Sequence, residues 1–157
     1  MSHDITQWLA ERLVQRHWML STAESCTGGL IASECTGLPG SSAWFDRGFV
    51  TYSNLSKTQM LGVPESLIEL HGAVSEPVAK AMACGAAYRS SSMVAVAVTG
   101  IAGPSGASPD KPVGTVWLSW WINGCVQTEL RQFVGNRGAI RTATAQCALE
   151  GLMHRLR

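Results

Sequence analysis

The segment Met93-Val94-Ala95-Val96-Ala97-Val98-Thr99, running directly into Gly100-Ile101-Ala102-Gly103-Pro104-Ser105-Gly106, decides how this chain folds. Met93 to Val98 is apolar at every position, so neither face of a strand built from it tolerates water. Such a strand belongs in the middle of a sheet with helices packed on both sides. The glycine-rich stretch after it then lies at a strand's carboxyl end, where open α/β sheets form their ligand crevice. Between Thr99 and Gly106 stand three glycines and two hydroxyl residues. Such a loop can wrap a phosphate with backbone N–H groups, or it can be an ordinary surface crossover.

Outward from this strand, helix and strand signals alternate. Residues 4–16 form an amphipathic pattern, with Ile5, Trp8, Leu9 and Leu13 on one face. Trp18 to Thr22 suits a short buried strand, and residues 29–36 a helix stopped by Gly37-Leu38-Pro39-Gly40. A second strand over residues 44–52 leads into Ser53-Asn54, the cap of a short helix through Met60. Another short helix follows Pro64, near residues 66–70. Ser75-Glu76-Pro77 opens an alanine-rich helix to about Arg89, with Ser75 placed to cap and Pro77 suited to the first turn. Residues 114–122 and 126–134 read as strands joined by Asn123-Gly124, a hairpin signal, and Asn136 caps a final helix over residues 138–156. The expected architecture is a single domain over residues 1–157, a three-layer α/β/α sandwich on a mixed, mostly parallel sheet of about five strands.

Composition narrows the function. The chain has 157 residues, 46% apolar and 15% charged, with six tryptophans and a formal net charge of +1. So small a net charge disfavours broad attraction to nucleic acid or an anionic membrane, and an anionic ligand needs a local site. The low charge and the tryptophans suggest a subunit interface. Trp117, Trp120 and Trp121 in one strand point to both faces of the sheet, so a homodimer or larger homo-oligomer is expected. Cys26, Cys35, Cys84, Cys125 and Cys147 are odd in number and contain no C-x-x-C pair, which disfavours a disulfide framework and fits a reducing cytoplasm. The four histidines show no metal-ligand spacing, so no metal and no cofactor are expected. The N-terminal residues lead to the expectation of no signal peptide, and no apolar run reaches the roughly 18 residues of a membrane span.

Candidate chemistry centres on Ala23-Glu24-Ser25-Cys26-Thr27-Gly28-Gly29, where a strand gives way to a helix. A serine on such a turn can present its hydroxyl beside the free N–H groups of a helix start. The glycines let another molecule approach the backbone. This suits a serine nucleophile with an oxyanion site, an anion-binding turn, or a plain tight turn. Tyr52 and Lys57 flank the next strand-to-helix turn and can reach the same pocket. A lysine in a dry site loses preference for its charged form and can take a proton, while Tyr52 could relay that proton or hold the amine. Otherwise both are ordinary: a solvated helix lysine and a packed strand aromatic. Cys26 is a rival nucleophile without an evident histidine partner, and His71 is a remaining candidate base. Glu24 and Glu76 are read as helix caps rather than ribose contacts.

Taken together, these motifs resemble the C-terminal domain of the CinA (competence/damage-inducible) proteins and its stand-alone form, the nicotinamide-nucleotide amidohydrolases. The blocks that carry the resemblance begin with residues 23–29, Thr51-Tyr52-Ser53-Asn54 with Lys57, and Leu61-Gly62-Val63. They continue through His71-Gly72-Ala73-Val74-Ser75-Glu76, Thr99 to Pro104, Lys111 to Val116, and Arg137 with Arg141. The resemblance implies hydrolysis of the carboxamide of nicotinamide mononucleotide to nicotinate mononucleotide and ammonia, in pyridine-nucleotide salvage. It implies a Ser–Lys mechanism without a metal, with Ser25, Tyr52 and Lys57 as the catalytic set. Thr27, Gly28 and Gly29 are then expected to supply the oxyanion site, and Thr99, Gly100, Gly103 and Arg137 to bind substrate. A non-catalytic nucleotide-binding module, or an amidase for another phosphorylated metabolite, are the alternatives. Larger members of the family carry an extra N-terminal domain, which is not expected within these 157 residues. Ser105 and Ala107 replace usual glycines, Leu55-Ser56 replaces a common Glu-Ala pair, and Asn136 replaces a frequent aspartate.

Overall fold

In the computed structural model, which describes residues 2–157, alternation along the chain sorts side chains onto two faces of one sheet. The elements are α1 (Ser2–Arg16), β1 (Leu20–Glu24), α2 (Leu30–Thr36), β2 (Phe45–Val50), α3 (Asn54–Leu61) and α4 (Glu65–His71). They continue with α5 (Glu76–Tyr88), β3 (Val94–Gly100), β4 (Thr115–Ile122), β5 (Cys125–Gln132) and α6 (Arg137–Leu156). The strand order is β2-β1-β3-β4-β5. β3 is central, as its two apolar faces require. β2, β1 and β3 pair in parallel, β4 pairs antiparallel with β3, and β5 pairs antiparallel with β4 at the sheet's edge. The three-layer sandwich is therefore present, with three of its five strands in the parallel section.

β3 shows why the layers differ. Val94, Val96 and Val98 enter one cluster with residues of α1, α2 and α6, among them Leu9, Leu13, Ile31 and Leu149. Ala95 and Ala97 enter the other, under Val78, Met82, Ala83 and Ala86 of α5. Small residues on that face admit the alanine-rich helix closely. Gly85 lies so near the Leu61 carbonyl that a side chain there would collide with it. Trp120 and Trp121 split between the two faces as expected. Trp120 is buried and donates its indole N–H to the Ala148 carbonyl at 2.9 Å. Trp121 meets Tyr88 edge-on at 6.1 Å.

Boundaries moved where the chain has to turn. β1 starts at Leu20 rather than Trp18, because His17 adopts φ 55° to reverse the chain out of α1. The hairpin is as read: Asn123 and Gly124 both take positive φ, the geometry that matches strand twist. Asn136 caps α6 by accepting the Ala139 N–H at 2.9 Å. Ser75 precedes α5, but its hydroxyl does not cap the helix. It donates to the Gly72 carbonyl at 2.7 Å, and proline at the second helical position leaves one fewer N–H to satisfy. No described helix is long and apolar enough to cross a membrane.

Candidate active site

The site forms where the carboxyl ends of β2, β1 and β3 lie side by side. Pairing continues one residue beyond the strands. The Ser25 N–H donates to the Val98 carbonyl at 3.2 Å, and the Thr51 N–H to the Glu24 carbonyl at 2.8 Å. Ser25 is thus locked to β3, and Thr51 to β1, before either loop diverges. The chain then turns sharply. The Gly28 N–H closes onto the Ser25 carbonyl at 3.1 Å, with φ of +59° at Gly28 and +108° at Gly29. Both values favour glycine, which accounts for the pair.

Glu24 is fully buried beneath this turn. Its carboxylate accepts the Ile31 and Ala32 N–H groups at 2.9 and 3.0 Å and the Thr27 hydroxyl at 2.6 Å. It therefore caps α2 and holds Thr27 inward, as the capping interpretation anticipated. Glu24→Gln would set an amide NH₂ against those donors. The expected loss is about 2 kcal/mol, read as a lowered melting temperature. An unchanged melting temperature would show that the turn does not depend on the carboxylate.

Lys57 stands on α3, four residues after Ser53, whose hydroxyl caps the helix by accepting the Ser56 N–H at 3.1 Å. Its side chain runs back under the sheet end and is 1% exposed. The Lys57 Nζ lies 3.0 Å from Ser25 Oγ, 3.0 Å from the Thr51 carbonyl and 3.4 Å from the Tyr52 carbonyl. Among the described residues it forms no ion pair with a carboxylate. Burial without a counter-ion pushes its pKa down to about 8. Cys26 is moved the opposite way: burial raises its thiol to about 11, so it remains neutral beside the pair.

A cleft of about 270 Å³ opens in front of Ser25 and Lys57. Its walls come from Cys26, Tyr52, the Ala73–Val74 link and the loop from Thr99 to Gly106, with Arg137 at the start of α6. Thr99 is buried, and its hydroxyl donates to the Ala73 carbonyl at 2.9 Å, tying two walls together. Arg137 donates to the Gly103 carbonyl at 2.8 Å and to the Tyr52 hydroxyl at 2.7 Å. Tyr52 is 61% exposed, and its hydroxyl meets Arg137 rather than Lys57.

The structure thus joins Ser25, Lys57, Tyr52, Thr99, Gly100, Gly103 and Arg137 around one cavity. Thr27, Gly28 and Gly29 follow Cys26, which lines the cavity, but are not themselves part of the lining. His71 is also outside it, and its carbonyl accepts from Lys111 at 2.8 Å. Sequence reasoning missed the Thr51 carbonyl and gave Arg141 no role. Yet Arg141 donates to the carbonyls of Cys26 at 3.0 Å and Thr27 at 3.0 Å. The available signal was spacing, since residues 137 and 141 share one face of a helix.

The model of the CinA C-terminal domain matches residues 2–156. The chain belongs to this family. It is 54% identical over 145 residues to the nicotinamide-nucleotide amidohydrolase PncC of Pseudomonas putida, covering 92% of this chain and 91% of that protein. The protein of that name from Escherichia coli K12 is 47% identical over 149 residues, covering 94% and 90%. Among solved structures, the competence/damage-inducible protein CihA from Agrobacterium tumefaciens superposes with a TM-score of 0.88 at 50% identity, covering 96% and 94%. Two of the departures from the CinA pattern have simple structural outcomes. Asn136 caps α6, and Leu55 is exposed on α3. Ser105 lies in the cleft wall and Ala107 outside it.

Proposed function

We propose that this protein hydrolyses the carboxamide of nicotinamide mononucleotide to nicotinate mononucleotide and ammonia, as part of pyridine-nucleotide salvage. The names of its relatives supply the substrate class, and the surroundings of Lys57 Nζ carry the mechanism. A neutral amine has two hydrogens and one lone pair. Two of its three neighbours, the Thr51 and Tyr52 carbonyls, can only accept, so they take the hydrogens. The lone pair is left for the Ser25 hydroxyl, 3.0 Å away. That is the arrangement a general base needs.

Ser25 Oγ attacks the amide carbon as its proton passes to Lys57. The resulting oxyanion is stabilised by backbone N–H groups of the turn that follows Ser25. The ammonium of Lys57 protonates the departing nitrogen, the C–N bond breaks, and ammonia leaves an acyl-Ser25 ester. Water then attacks the ester while Lys57 takes its proton. Lys57 returns that proton to Ser25 Oγ as nicotinate mononucleotide departs. Tyr52 acts through its carbonyl, which holds the amine, and through its ring at the cleft mouth. Arg137 forms no ion pair with any carboxylate among the described residues, and this uncompensated charge suits the substrate phosphate.

The test is ammonia release from nicotinamide, its riboside and its mononucleotide between pH 6 and 10. The mononucleotide is expected to be the preferred substrate. Its kcat/KM should rise with pH through a midpoint near 8, because the base is active only when deprotonated. Equal turnover of all three would remove the phosphate from the reading. Tight mononucleotide binding by calorimetry without ammonia release would make the protein a binding module instead.

A further inference from the structure

Arg141 is a buttress with no place in the reaction described so far. Its guanidinium grips two consecutive carbonyls, those of Cys26 and Thr27, immediately behind the nucleophile. These peptides are trans, so each carbonyl opposes the N–H of the next residue. Fixing the Cys26 carbonyl on Arg141 therefore aims the Thr27 N–H away from Arg141. That N–H makes no hydrogen bond within the chain among the described residues, whereas the Gly28 N–H is occupied by the Ser25 carbonyl. Thr27 cannot rotate to escape this setting, because its hydroxyl is held at 2.6 Å by the buried Glu24 carboxylate. A cation on the carbonyl also draws electron density along the peptide and makes its N–H a better donor. A side chain at Gly28 would come within 3.3 Å of the Arg141 guanidinium, so the turn and the arginine fit closely.

Cys26 lines the cleft, which brings the peptide that joins it to Thr27 to the cleft's edge although the Thr27 side chain is buried away from it. We propose that Arg141 is a positioning residue that aligns and polarises this Cys26–Thr27 peptide as a donor to the reaction's oxyanion. This rests on the amidase reading of Ser25. It predicts a transition-state defect rather than a binding or ionisation defect. Arg141→Gln and Arg141→Lys are to be assayed on the mononucleotide, with kcat taken per folded molecule and melting temperatures recorded. The expected kcat falls by about 10- to 100-fold, with KM unchanged within about twofold. Lysine should rescue little, since one ammonium cannot hold both carbonyls in the guanidinium's planar geometry. The midpoint of the kcat/KM pH profile should stay at the wild-type value, because Arg141 does not touch Lys57.

A kcat per folded molecule close to wild type, or a moved pH midpoint, would overturn the proposal. A second readout separates it from the choice of substrate. Sulfonylation of Ser25 by phenylmethanesulfonyl fluoride, followed by mass spectrometry, also develops charge on oxygen. If wild type releases no ammonia yet Arg141 variants sulfonylate about 10-fold more slowly, the deamidase reading fails and the positioning role stands. Sulfonylation at the wild-type rate in both variants would refute the positioning role, whatever the substrate is.

Discussion

Ser25→Ala is expected to lower ammonia release from nicotinamide mononucleotide by about 10⁴-fold or more, with the fold intact. The loss is large because, in the proposed mechanism, the hydroxyl is the bond-forming group. The fold survives because the backbone keeps its place: the residue-25 N–H still donates to the Val98 carbonyl and the turn still closes through Gly28. Lys57 loses one of three partners but keeps both carbonyls. The stability change should therefore be about 1 kcal/mol, visible as a small shift in melting temperature. The same variant tests Cys26, which lines the cleft next to Ser25. Its thiol, raised to about 11, has almost no thiolate at neutral pH. A Ser25→Ala protein that kept a tenth of the wild-type rate, and lost it on thiol alkylation, would transfer the nucleophile's role to Cys26.

What the sequence made legible follows from how each feature is encoded. β3 announces itself because burial on two faces leaves no polar residue between Met93 and Val98, and the hairpin because Asn123-Gly124 needs positive φ. The glycine pair at 28 and 29 marks the turn that carries Ser25 for the same reason. Ser25 and Lys57 were individually ambiguous. Their significance depends on parallel pairing of β1 with β2, which brings residues 32 apart in sequence within 3.0 Å. Nothing local encodes that distance, so only the joint pattern of motifs pointed to it. Tyr52 shows the limit most clearly. Spacing placed it beside Lys57, and its carbonyl is there, but the ring turns outward to an arginine 85 residues later in the chain. Arg141 was hidden likewise, since its partners are backbone carbonyls that every residue possesses.

Replacing Lys57 should cost about 10³-fold in kcat/KM, and it should separate activity from stability. Lys57→Arg is not expected to rescue, since guanidinium stays protonated and cannot accept the Ser25 proton. Lys57→Met keeps the stem's volume and removes the titrating group. The native lysine has a pKa of about 8 against an ordinary 10.5, so between these values the unfolded chain binds more protons than the folded one. Stability therefore rises with pH across that window. Below it, the full cost of burying the amine applies, about 3 kcal/mol. Methionine avoids that cost but leaves the Thr51 and Tyr52 carbonyls without their partner, which offsets about 1 to 2 kcal/mol. At pH 7 the inactive Met variant should accordingly melt at or above the wild-type temperature. By pH 10.5 this relative advantage should be almost gone, because the folded amine is then neutral and the unfolded one is already half deprotonated. Thermal melts at the two pH values, run beside the ammonia assay, check both halves of the argument. A Met variant equally destabilised at both pH values would mean that the lysine is not buried at a cost. An active Arg variant would mean that it is not the base.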